Sequence, residues 1–378
     1  EYDFAPEWSA LLAASVLGMF LLSMATHLLS IYLALELLSV SSYLLVAYSP
    51  QRTASEATTK YLLFGAVSSA VMLYGISLIY GLTGTLNITD EALRAGLLSQ
   101  EPLVLYTVLF LTFGGLLFKL SLVPFHAWAP DVYEATPTPL VAFLSVAPKV
   151  VVMVVVMRLL SAGMADFRPL LGVLALVSMT VGNAMALGQR QARRMLAYSS
   201  IAQAGYLMVG VLAYSTFGLE ATLFYAIAYT LLNLAAFVVL DLLLPRSALL
   251  LNDYAGLGLY APWPSIALTL ALVGLAGLPP TVGFTAKWLV FSALWESYQT
   301  QNAPTWMLWL LMGGVLNAAV SLVYYMRLPY LLFSRTRRSE QPIHPISINR
   351  QLAAGLFLIL IVLFFIKPDW LTSWIAQA

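Results

Sequence analysis

The sequence predicts an all-α polytopic membrane protein of about eleven transmembrane helices, arranged as two inverted five-helix repeats that each contain a broken helix. Three observations predict it. Of 378 residues, 61% are hydrophobic and 9% are charged, against roughly 25% charged in a typical soluble domain. Apolar runs recur, each long enough to cross a hydrocarbon core of roughly 30 Å as a helix. Short words also return in the same order at a nearly constant spacing.

The apolar runs lie near 8–25, 28–48, 58–81, 103–121, 138–160, 169–188, 195–214, 219–244, 265–298 (interrupted), 305–333 and 351–375. Tyr and Trp gather near their ends, as interfacial belts require. Cysteine is absent, which excludes disulfides, thiolate zinc sites and cysteine-ligated iron–sulfur clusters. The three histidines, His27, His126 and His344, show no paired spacing, so neither haem nor another metal or cofactor is expected in this chain. The first residues, EYDFAPEWSA, are acidic and do not read as a signal peptide. No basic surface suited to nucleic acid is present.

Loop charges predict an orientation. Connections after even-numbered spans hold Arg52, Lys60, Arg190, Arg193, Arg194, Arg246, Arg335, Arg337, Arg338 and Arg350, whereas those after odd-numbered spans hold only Arg94 and Arg168. The positive-inside rule then puts the even connections in the cytoplasm and the C-terminus outside.

The repeat follows from three matches. Glu56-Ala-Thr returns as Glu220-Ala-Thr, and Tyr43-Leu-Leu-Val as Tyr206-Leu-Met-Val. Phe125-His-Ala-Trp128 parallels Phe284-Thr-Ala-Lys-Trp288. Five spans separate equivalents, and an odd number reverses the direction of travel. The expected organisation is a first repeat over 1–161, a second over 162–334, and a loop with a final helix over 335–378. Each half carries a break, one around Pro124 and one around Gly277 and Pro279-Pro280. Proline removes a backbone donor, and unpaired carbonyls survive at membrane depth only where protein or water satisfies them. Matching breaks point to a polar site.

The charges inside the spans are the candidate site. Glu36, Lys119, Lys149 and Lys287 all fall within apolar runs, where translocon scales put a charge at roughly 2.5–3.5 kcal/mol. Arginine cannot lose its proton in a protein, whereas desolvated lysine can. Titratable cations inside and arginines near the ends indicate proton handling, against the plainer reading of static ion pairs that fix helix packing. His126, just past Pro124, is either part of a water-filled path or a structural donor. Tyr229 and Asn233, one turn apart, either support water between Lys149 and Lys287 or hydrogen-bond between helices. Asp131 and Glu134 read as caps at the mouth of the first broken helix, and Asp241 and Arg327 as interfacial.

The segments FGGLLFKLSLVPFHAWAPDVYEATPTP and GLAGLPPTVGFTAKW resemble the broken helices of the antiporter-like membrane subunits of respiratory complex I. LALELLSVSSYLLVAY and RRMLAYSSIAQAGYLMVG are similar to other signature helices of that family. Among its paralogues the chain is most similar to subunit N (subunit 2). The resemblance implies a 14-helix fold, three N-terminal helices of which precede the part matched here. It implies that Glu36 and Lys119 form the family's glutamate–lysine pair, with Lys149 as central and Lys287 as terminal lysine. It further implies a proton-translocating subunit of an NADH:quinone oxidoreductase in a bacterial inner membrane. Its partners would be the other membrane-arm subunits and, through them, the NADH, flavin and iron–sulfur arm. The alternatives are a subunit of a multi-subunit cation/proton antiporter, or a scaffold for neighbouring chains.

Overall fold

The computed structural model describes residues 6–49, 52–244, 250–302, 304–336 and 348–377. Arg246, Arg337, Arg338 and His344 lie outside the described residues, as do the side chains of Arg52 and Arg350. The chain divides into two compact units. One contains residues 1–136 and 147–174, the other 137–146 and 175–378.

The first unit contains α1 (Pro6–Met24), α2 (Leu28–Ala47), α3 (Arg52–Thr83), the short α4 (Glu91–Leu98), α5 (Pro102–Leu120) and the short α6 (Trp128–Ala135). It also takes most of α7 (Thr138–Leu159) and the start of α8 (Arg168–Leu187). Here α2 packs on α1 and α3, and α3 on α5 and α6. A π turn and a 3-10 turn separate α7 from α8, with Gly163 at φ 109 inside the bend.

The second unit contains α9 (Ala192–Ala213), α10 (Thr216–Leu243), the single turn α11 (Leu257–Tyr260), α12 (Pro262–Ala276), α13 (Val282–Thr300), α14 (Thr305–Ser334), α15 (Ile348–Ile366) and α16 (Asp369–Gln377). Helix α9 is its buried axis, enclosed along nearly its whole length and packed on α10 and α13. Small residues Ala197, Ala202, Ala204, Gly205 and Gly210 let neighbours come close. Exposed tryptophans such as Trp263, Trp288, Trp309 and Trp374 suit a chain whose outer faces meet lipid.

The helices follow the apolar runs, with one adjustment, at the last span. The interrupted span 265–298 is two separate helices, α12 and α13, as expected. Fifteen residues of α12 rise only about 22 Å, too little to cross the hydrocarbon alone. The predicted last span 351–375 is likewise not continuous: α15 stops at Ile366, and α16 leaves at 81°. Pro368 starts the new direction, because a proline ring cannot continue the preceding helix.

Both predicted breaks are built alike. At the end of α5, Ser121 adopts the left-handed conformation (φ 60), its N–H donating to the Phe118 carbonyl and that of Leu122 to the Leu117 carbonyl. At the end of α12, Gly277 is left-handed (φ 88), its N–H donating to the Gly274 carbonyl and that of Leu278 to the Val273 carbonyl. This is the same C-terminal cap, which satisfies carbonyls that a helix end would otherwise orphan. The Val123–Pro124 and Pro279–Pro280 bonds that follow are both cis. Beyond the second break the chain returns so closely that a Cβ on Gly283 would lie 1.9 Å from the Gly274 carbonyl oxygen.

Candidate functional site

In the first unit, Lys119 sits in the last turn of α5 and is 2% exposed. Its Nζ donates to Ser42 Oγ and Tyr61 Oη, each at 3.2 Å, and reaches Ser39 Oγ at 3.5 Å. The rings of Tyr43 and Tyr61 lie 5.9 and 5.6 Å from the nitrogen. Why these groups meet is local. Ser39 and Ser42 follow Glu36 at helical spacing on α2. After the break, α6 brings Trp128 back to stack on Tyr61, centroids 4.2 Å apart, while the Trp128 indole N–H donates to the Phe118 carbonyl at 3.2 Å. The segment after the break thereby covers Tyr61, one of the lysine's hydroxyl partners.

The expected Glu36–Lys119 ion pair is not a direct contact in this structure. Glu36 accepts a hydrogen bond from the Ser69 hydroxyl, while Lys60 pairs with Glu56 and Asp131, and Arg193 with Asp241. Hydroxyls have replaced the carboxylate as the nearest polar shell. A hydroxyl both donates and accepts, so this shell can serve an ammonium or a neutral amine. Lys149, 1% exposed, lies mid-helix in α7 directly after Pro148. His126 is half-buried beyond the break, and its Nδ1 has no hydrogen-bond partner. Asp131 accepts from Lys60 at 2.7 Å, beside the start of α3.

In the second unit, Lys287 is 5% exposed on α13. Its Nζ donates to the carbonyls of Leu275 and Ala276 at 3.0 and 2.8 Å, the last residues of α12, and lies 4.4 Å from the Tyr206 ring centroid. The capped breaks align Leu122 with Leu278, 156 residues apart, so Leu275 occupies the place of Lys119. Lys287 is rooted past the break, yet its nitrogen returns to the turn before it. In each unit the charge therefore sits at the last turn of the helix that precedes the break. Tyr229 Oη meets Ser200 Oγ at 2.9 Å and donates to the Ser145 carbonyl at 3.1 Å, and Asn233 Nδ2 donates to Ser145 Oγ at 2.6 Å. These bonds link α10 to α9 and to the first turns of α7.

Sequence reasoning found the lysines but not what holds them. Ser39 and Ser42 carried a signal, being on Glu36's side of α2. Tyr206 carried one as well, since its word repeats that of Tyr43, whose ring lies by Lys119; Tyr61 and the α12 carbonyls carried none, because they come from another helix or from backbone. Among the described residues, no group of His, Asp and Glu could hold a metal.

A family model, described as the transmembrane region of NADH:quinone oxidoreductase and Mrp antiporters, matches residues 25–322. The chain belongs to this family. Within it, the chain is 42% identical over 373 residues to a protein named NADH-quinone oxidoreductase subunit N 2 of Chloroherpeton thalassium, covering 94% of this chain and 71% of that one. It is 39% identical to a subunit N of Chlorobium chlorochromatii, over 97% and 73% of the two chains. Among solved structures, a chain of Thermus thermophilus respiratory complex I matches with a TM-score of 0.83 and 33% identity, over 97% of this chain and 79% of that one. The Mrp complex of Dietzia matches at 0.81 with 20% identity, a likeness of fold.

Proposed function

We propose that this chain is a proton-translocating, subunit N-type component of the membrane arm of an NADH:quinone oxidoreductase. Relatives bearing the subunit N name at about 40% identity support the complex. The observation that carries the proton role is the burial of Lys119, Lys149 and Lys287, each at most 5% exposed inside an apolar helix bundle. Any redox centres belong to partner chains, and quinone reduction there drives a charge rearrangement that reaches this chain through its neighbours.

In this reading Glu36 tunes the charge of Lys119, Lys149 relays the proton, and Lys287 exchanges it with the far side. The two capped breaks and the matching placement of charge support an inverted repeat, each half supplying one route to the centre. His126 would line the first route. The even connections face the cytoplasm of a bacterial cell whose inner membrane holds the complex. Moving one charge against 100 mV takes about 2.3 kcal/mol. A pKa unit corresponds to about 1.36 kcal/mol, so a change of under two units per step matches it.

Lys149→Ala in the reconstituted complex tests this: proton pumping should be lost while the electron-transfer arm stays assembled. Full pumping with normal oxidase activity would remove Lys149 from the path. Sodium-dependent transport by this chain without any redox partner would favour the antiporter alternative instead.

A further inference from the structure

Among the buried polar side chains of the axis α9 is a long amide that the lysines alone do not explain. Gln203 is 2% exposed. Its Nε2 donates to the Leu275 carbonyl at 2.8 Å and to Tyr325 Oη at 3.1 Å, while its Oε1 accepts from the Tyr225 hydroxyl. Tyr325 in turn pairs with the Ser199 hydroxyl. The Leu275 carbonyl is also an anchor of Lys287, at 3.0 Å. A carbonyl oxygen has two lone pairs, and here the amide and the lysine take one each.

The amide's two N–H groups are both committed, and an amide does not titrate in the physiological range. Gln203 is therefore a fixed support and not a proton carrier. It ties the end of α12 to α10 through Tyr225 and to α14 through Tyr325. Gly277 completes the arrangement from the other side. A Cβ there would lie 2.5 Å from Lys287 Cδ, so the lysine stem crosses bare backbone to reach its carbonyls.

We propose that Gln203 is a positioning residue for Lys287, holding the Leu275 carbonyl at the point where the lysine nitrogen is anchored. The inference rests on the proton role given to Lys287 above. A residue that merely packed helices would affect stability and assembly but not the pH dependence of transport.

The test uses the whole complex in proteoliposomes, measuring oxidase turnover, proton pumping and the pH profile of pumping. Gln203→Met keeps the length and removes every hydrogen bond. It should assemble, lower pumping by about tenfold, as expected for losing a hydrogen bond that supports a charged group, and displace the pH profile. Gln203→His, whose ring can donate at one nitrogen and accept at the other, should recover most of the loss. Tyr225→Phe keeps the ring and frees the amide oxygen, so it should displace the profile in the same direction by a smaller amount. Wild-type pumping and pH profile in Gln203→Met overturns the proposal, as does the same result in Tyr225→Phe should Gln203→Met fail to assemble. A histidine variant no better than the methionine variant overturns it too. Full pumping by Lys287→Ala would instead strike the functional reading beneath it.

Discussion

At the scale of single residues, the two broken-helix lysines differ in what receives their hydrogen bonds. Lys119 meets hydroxyls, which can donate as well as accept, while Lys287 meets carbonyls, which only accept. Tyr61→Phe should therefore cost Lys119 a donor-acceptor partner and slow pumping by about tenfold, since a hydrogen bond to a charged group is worth about 1.5–3 kcal/mol. Pumping unchanged in that variant would mean the hydroxyl shell is incidental. Lys119→Arg should be inactive with the complex assembled, because guanidinium keeps its charge and its planar fork does not match three scattered hydroxyls. Rapid pumping by this variant would show that Lys119 never releases its proton. The sequence located these lysines because a charge in an apolar run is conspicuous. It did not reveal that Glu36 bonds to Ser69 and leaves Lys119 to hydroxyls, since that choice depends on which face of α3 meets α2.

At the scale of elements, the breaks are ordered structures. Each ends a helix with a left-handed residue and a satisfied pair of carbonyls, and the second also folds α13 tightly back on α12. Gly283→Leu forces a side chain into the Gly274 carbonyl. Overpacking of this kind costs typically about 1–3 kcal/mol, so the detergent-purified protein should show a lower unfolding midpoint. An unchanged midpoint would mean that α12 and α13 separate freely. The prolines made the breaks legible in the sequence. The bend between α15 and α16 was not read, because Pro368 falls near the end of an apolar run that otherwise continues.

At the scale of the whole molecule, the orientation we propose rests on the loop charges, and the chain has no cysteine to complicate a test of it. Single cysteines can report on it. Thr336→Cys, in an even connection, should react with a membrane-impermeant maleimide only from the cytoplasmic face, and Gln377→Cys only from outside. The reverse pattern would invert the proposed topology and exchange the sides of both routes.

By itself the sequence determined the membrane class, the long helices up to the last span, the positions of both breaks and the four interior charges. These follow from local chemistry: apolar length, proline's missing donor, and the cost of an ion in hydrocarbon. Only the tertiary structure decided that a lysine rooted after one break places its nitrogen where the other unit roots its lysine before the break. That result depends on side-chain reach and on the backbone of a neighbouring helix, and spacing along one chain encodes neither. The same holds for Gln203, an ordinary amide in the word SSIAQAGY until folding sets it on the carbonyl that Lys287 shares.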